Sequence, residues 1–236
     1  MAKPDRENYT DAEIHDSYVD AAPELNSTVT LHEYDPEWVV LYEREAERIR
    51  AALGETIVSL EHVGSTSVPG LCAKPVIDVL LVVPDSGNES AYLTQLEHAG
   101  YRLVIREPDW EQHRCFKGTD PNVNLHVLSP GSREVERYRL FRDRLRTDTA
   151  DRDLYARTKR ELAARTWSYI QHYADAKNAV VDEIIGRARD SGATGYDDFG
   201  EDYAEQAGSN PFNALYDRPA IMALAGTSPE SGCSRS

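Results

Sequence analysis

The segment Glu61-His62-Val63-Gly64-Ser65-Thr66-Ser67-Val68-Pro69-Gly70-Leu71 gathers glycines and hydroxyls where an apolar run ends. Such a turn leaves backbone N–H groups unpaired. With the hydroxyls of Ser65, Thr66 and Ser67 it makes a concave anion site whose natural guest is phosphate. The same residues also suit a tight turn in which Ser and Thr cap the next helix, and both readings stand at this level. A Walker A loop is excluded, because Gly70 is followed by Leu71 and Cys72 and the lysine, Lys74, comes later. Asp78 lies inside Val76-Ile77-Asp78-Val79-Leu80-Leu81-Val82-Val83. A carboxylate in such a strand must be paired, hydrogen-bonded or metal-bound. Its early position sets it near the glycine turn, as a site residue or as a buried acid held by the amides of 64–67.

A second strand carries Asn122, Asn124 and His126 on one face and Val123, Leu125 and Val127 on the other. The polar face must meet solvent or a site, and His126 has the chemistry of a metal ligand, a general base or a phosphate contact. Arg114 and Lys117 are three residues apart on a strand and point to opposite faces. Either could hold phosphate if it faces the loop. His62 alternates with Gly64 and is expected to share the cleft, with Glu61 pointing away. Arg142 and Arg146 share a helix face, which is either solvated or turned to neutralise a phosphate.

The elements that must position these groups follow from the periods. Asp35 and Pro36 open a helix whose face carries Trp38, Leu41, Tyr42, Glu45, Ile49 and Leu53, and Gly54 stops it. The apolar segments predict strands at 57–63, 76–83 and 101–106, with 76–83 central and buried on both faces. A helix is expected at 90–98. A hairpin joins 114–117 to 122–128 through Gly118-Thr119-Asp120-Pro121. Three helices should follow at 133–146, 151–166 and 167–188. Along the last two, Leu162, Thr166, Tyr169, Tyr173, Ala176, Val180 and Ile184 form a stripe. The order implies an α+β fold, a mixed sheet with flanking helices and a C-terminal helical half.

The chain has 236 residues and a net charge of −15. Residues 1–28 hold seven acids and two bases, and residues 188–236 hold eight acids and three bases. These ends read as acidic disordered tails on a domain at 29–187. The charge argues against a nucleic-acid partner. With no apolar run of membrane length and no leader pattern, the expected location is cytoplasmic. Cys72, Cys115 and Cys233 are too few and too scattered for a disulfide framework.

The run His62 to Leu71, then Lys74-Pro75-Val76-Ile77-Asp78, resembles the opening motif of the GrpB family. Arg114 to Lys117, Asn124-Leu125-His126-Val127, Phe141 to Arg146, and Tyr155 with Lys159 and Leu162-Ala163 extend the likeness across 29–187. The resemblance implies a nucleotidyltransferase-like fold, akin to the palm of polymerase β. It implies a nucleoside triphosphate or other phosphorylated small molecule as ligand, and transfer of a nucleotidyl group to a small acceptor. Active members of that superfamily use an Asp-x-Asp pair on divalent metal. Here Leu80 stands where the second acid would be, so Asp78 and His126 are left as the expected metal and catalytic pair, for Mg or Mn. Gly64, Ser65, Thr66, Ser67, Lys74, Arg114 and Arg142 are the expected phosphate contacts. The alternative implied is a non-catalytic nucleotide-binding or accessory module, because GrpB-like domains also occur fused behind a kinase of the coenzyme A pathway.

Overall fold

The computed structural model describes residues 8–194. It opens with α1 (Asp11–Ser17) and β1 (Glu24–Ser27). Then comes α2 (Glu37–Leu53), where the Asp35 carboxylate accepts the N–H of Glu37 at 2.9 Å. The N–H of Gly54, at φ 50°, closes the helix on the Arg50 carbonyl. The sheet begins with β2 (Ser59–Val63) and β3 (Ile77–Val82), and continues after α3 (Leu93–His98) with β4 (Arg102–Glu107), β5 (His113–Thr119) and β6 (Asn122–Leu128). The helical half comprises α4 (Arg133–Thr147), α5 (Thr149–Ala163), α6 (Ile170–Asp175) and α7 (Asn178–Thr194), with the short β7 (Trp167–Tyr169) between α5 and α6.

The five-stranded sheet has the order β2-β3-β6-β5-β4, parallel between β3 and β6 and antiparallel elsewhere. This is the mixed α+β architecture that the alternating periods predict. β3 is buried on both faces. Ile77, Val79 and Leu81 pack with Trp38, Tyr42 and Ile49 of α2 and with Leu96 of α3. Leu80 and Val82 pack with Val63, Leu128 and Val135 of α4. Since side chains alternate along a strand, Asp78 falls on the α4 side.

Two expectations need correction. Residues 8–28 are not an unstructured tail. Thr10 caps α1 in a reciprocal box with Glu13. The Val19 N–H bonds the Val104 carbonyl at 3.0 Å, next to a bridge between Tyr18 and Ile105, which covers the open edge of β4. Ile14, 1% exposed, joins Ala22 and Tyr169 in a small core. This burial depends on a docking surface more than a hundred residues away in sequence, so composition alone could not show it. Likewise 167–188 is not one helix. Trp167–Tyr169 pairs with β1 instead, and the chain re-enters helix only after it. The helix α7 runs on to Thr194, past the expected boundary at 188. The described residues up to Arg189 belong to one compact unit. The expected C-terminal tail beyond 194, and Cys233, lie outside the described residues.

Because residues 8–28 are packed into the fold, Ile14→Ala should lower stability in urea denaturation by about 2–5 kcal/mol, the usual range for truncating a buried Ile to Ala. A shift near zero would restore the loose-tail reading.

Candidate functional site

The site is set by one pairing. Antiparallel β2 and β3 place Val63 opposite Asp78, so the turn leaving β2 begins directly against that carboxylate. Gly64 has φ 70° and ψ −172°, a conformation almost reserved for glycine. A Cβ added there would lie 2.2 Å from Asp78 Oδ2 and 2.8 Å from Asp78 Cβ. The turn therefore approaches the acid as closely as the absence of a side chain permits. Ser65 to Ser67 follow as one 3-10 turn whose leading amides have no intrahelical acceptor.

Parallel pairing of β3 with β6 sets Asp78 beside Asn124 and Leu80 beside His126. Asn124 Nδ2 donates to Asp78 Oδ1 at 2.7 Å, and His126 Nε2 lies 3.9 Å from the same oxygen. Burial pushes the Asp78 carboxyl up, opposed by the Asn124 hydrogen bond and by Lys74, Lys117 and Lys177. Asp78, Asn124 and His126 floor a cavity of about 260 Å³. Gly64, Ser65, Thr66 and Lys74 form one wall, and Glu134, Arg137 and Tyr138 of α4 another. Tyr155 and Lys159 of α5, with Tyr173 and Lys177, close it.

The cavity brings together Asp78, His126, Gly64, Ser65, Thr66 and Lys74. The other expected contacts lie elsewhere. Ser67 does not line it; its hydroxyl donates to the Gly64 carbonyl at 2.7 Å and braces the turn. Arg114 points to the opposite face of the sheet, because it pairs with Val127, not with His126. There it is bound to Glu89 at 2.5 Å. Arg142 is held by Glu61 at 2.8 Å and Asp143 at 2.6 Å. His62 and Glu61 are reversed from the expectation. His62 stacks on Tyr42 of α2 at 4.6 Å, and its Nε2 lies 3.1 Å from the Thr66 hydroxyl. Burial, with the charges of Arg146 and Arg142, pushes its pKa down to about 3. It is a neutral structural ring. Gly64 does not continue the strand period that would set it on the side of His62, because the backbone turns there.

Lys159 and Lys177, which join the expected Lys74 in the cavity, are what residue-by-residue reading missed. Arginine outnumbers lysine twenty-one to five in this chain. Yet Lys74, Lys159 and Lys177 line the cavity, and Lys117 adds its field at Asp78. That rarity was a usable signal. Lys159 is 3% exposed and donates to the Cys72 carbonyl, with its ammonium 5.1 Å from the Tyr155 ring centre. Among the described residues no carboxylate forms an ion pair with it, and burial lowers its pKa from 10.5 to about 8. Burial lowers Lys74 too. A buried ammonium lacking a counter-ion is costly unless an anion arrives to meet it.

The fit of a divalent ion can be judged from the donors. Two-ion phosphoryl transfer needs several carboxylates around the ions. Leu80, fully buried, occupies the place of a second acid, and β6 contributes Asn124 and His126. Among the described residues no three His, Cys, Asp or Glu side chains converge on a point. The residues do not fit a two-ion centre, and Asp78 with His126 does not close a single-ion site by itself.

The structure defines an α+β domain with a glycine turn against a strand-borne acid, roofed by helices that deliver lysines. The chain belongs to the GrpB family, whose model, described as GrpB protein, matches residues 28–187. It is 55% identical over 179 residues to a UPF0157 protein of Halalkalibacterium halodurans, covering 76% of this chain and 92% of that one. It is also 27% identical over 183 residues to a dephospho-CoA kinase of Mycolicibacterium paratuberculosis, covering 66% of this chain and 45% of that protein. Among solved structures, the conserved protein GrpB from Enterococcus faecalis superposes with a TM-score of 0.60 at 31% identity, over 67% of this chain and 96% of that one. No described helix is long and apolar enough to cross a membrane.

Gly64→Ala should destabilise the fold by at least about 2 kcal/mol in chemical denaturation, since backbone strain and collision with Asp78 add. Lys159 makes a pH prediction. Its folded pKa, about 8, lies below the ordinary 10.5, so the unfolded chain binds more protons between these values. Its contribution to stability should therefore rise with pH across that window, by about 1–3 kcal/mol in total. Measured as the difference between wild type and Lys159→Met, this rise should be present in the first and missing from the second. Parallel curves would contradict it.

Proposed function

We propose that the cavity binds a phosphorylated small molecule, with a nucleoside triphosphate as the first candidate, and that the domain is a nucleotide-binding member of the nucleotidyltransferase superfamily. The observation that carries this reading is the set Lys74, Lys159 and Lys177 gathered over the Gly64–Thr66 turn, with Lys159 buried and unmatched by any described carboxylate. Compact ammonium charges suit phosphate oxygens, and the unpaired amides of the turn add to them. Tyr155, Tyr173 and Phe141 supply apolar wall for the rest of the ligand. The setting that suits the buried free thiols of Cys72 and Cys115 is the reducing cytoplasm.

Nucleotidyl transfer to a small acceptor is a second reading, favoured by Asp78 and His126 lying side by side on the cavity floor. The leucine at position 80 weighs against it, and favours binding without two-ion chemistry. The likeness to part of a dephospho-CoA kinase supports an accessory role beside such a kinase.

Calorimetry with ATP, in chelator and then in Mg²⁺ or Mn²⁺, tests the ranking. Binding should persist in chelator. Lys159→Gln should weaken it about tenfold or more, roughly 1.4 kcal/mol. Absence of heat with ATP, pyrophosphate and coenzyme A alike would remove the anion reading. Incorporation of label from a radiolabelled triphosphate, abolished by Asp78→Asn, would promote the transferase.

A further inference from the structure

Anion binding leaves a chain of acid–base groups beside the cavity unused. His126 turns Nε2 toward Asp78 and Nδ1 toward His113 Nε2, 3.1 Å away. The two rings are stacked with centres 5.3 Å apart and planes inclined by 21°. His113 Nδ1 lies 2.6 Å from Glu107 Oε2, and the other oxygen of Glu107 accepts the Tyr9 hydroxyl. The side chains of His113 and Glu107 are only 7% and 13% exposed. The run thus starts at the cavity floor on β6, crosses β5 and reaches the end of β4, where the N-terminal segment closes it. Tyr9 lies outside the residues that match the family.

The donor and acceptor rules order the protons. A carboxylate only accepts, so the proton between His113 and Glu107 sits on His113 Nδ1. When His113 is neutral, it then offers a lone pair at Nε2. His126 can meet it only with a proton on its own Nδ1, which leaves His126 Nε2 unprotonated. We infer that Glu107 and His113 hold His126 in the Nδ1–H tautomer, so that its Nε2 faces the cavity as a proton acceptor. The site is then a base as well as an anion cradle. A hydroxyl or amine of a bound molecule placed between Asp78 and His126 meets two acceptors, while the lysines across the cavity hold its anionic part. When such a hydroxyl gives up its proton, the O–H bond breaks and the proton joins Nε2. The imidazolium charge is balanced by Glu107 through His113, as in other carboxylate-oriented histidines. Neither His113 nor Glu107 lines the cavity, so both are positioning residues. The inference is independent of which anion binds.

Long-range ¹H–¹⁵N correlation spectra of the ligand-free full chain read the tautomer directly. They would be taken at about pH 8, above the ordinary imidazole range, with His126 assigned from the signals lost in His126→Gln. Protonated Nδ1 and bare Nε2 are expected for His126. An Nε2–H tautomer, a doubly protonated ring, or an even mixture would overturn the inference. In Glu107→Gln, whose amide can donate as well as accept, the second tautomer of His126 should appear while the backbone amide spectrum is retained. A single unchanged tautomer in folded Glu107→Gln would show that the carboxylate does not set it. If that variant fails to fold, His113→Phe gives the same readout, and the wild-type spectrum still decides the tautomer.

Discussion

The contact between Gly64 and Asp78 is the constraint on which the site depends. β-pairing fixes Val63 against Asp78, and the next residue must turn away within the space of a missing methyl group. Any side chain would push the turn off the acid or the acid off the strand. Because both are pinned, the leading amides of the turn, the Asp78 carboxylate and the adjoining positions of β6 meet at one sheet end. The helices then need only roof that point.

The roof decides the electrostatics. Most arginines on α4 and α5 are spent on carboxylates: Arg139 and Arg142 on Glu61, and Arg144 on Asp148 and Asp151. These pairs tie the helical half to the sheet and to itself, and they take the guanidinium charge away from the cavity. Apart from Arg137, itself paired with Asp182 at 2.5 Å, the Lys and Arg side chains that line the cavity are lysines. A lysine tolerates burial by lowering its pKa, as Lys159 does, whereas a guanidinium keeps its charge and demands a partner. This division of labour makes the cavity cationic inside a chain of net charge −15. An anionic ligand would therefore be drawn by local field against the global one, over a range limited by screening.

The N-terminal segment shows how a region that looks dispensable can matter for the site. Its helix is short, and its buried apolar side chains are Ile14 and Ala22. It is held because β4 leaves an edge open and because Asp175 accepts the Tyr9 N–H at 2.7 Å. Its Tyr9 hydroxyl then closes the row Glu107–His113–His126. Fold and site share this segment, so its loss would be felt at both.

Local chemistry was readable in the sequence. The glycine turn, the acid in an apolar strand, the two-residue period that puts Asn124 and His126 on one face, and the helix opening at Asp35-Pro36 each depend on neighbours in the chain. So does the absence of a second acid at Leu80, which already spoke against two-ion chemistry. What tertiary structure alone decided was which faces meet. Arg114 and Arg142 were chosen for their charge, but the register of β5 turned the first away and Glu61 captured the second. Lys159 and Lys177 drew no notice as cavity groups, because nothing within one turn of helix reveals that their side chains converge on a strand eighty or more residues earlier. Periodicity tells which residues share a face; only packing tells what that face touches.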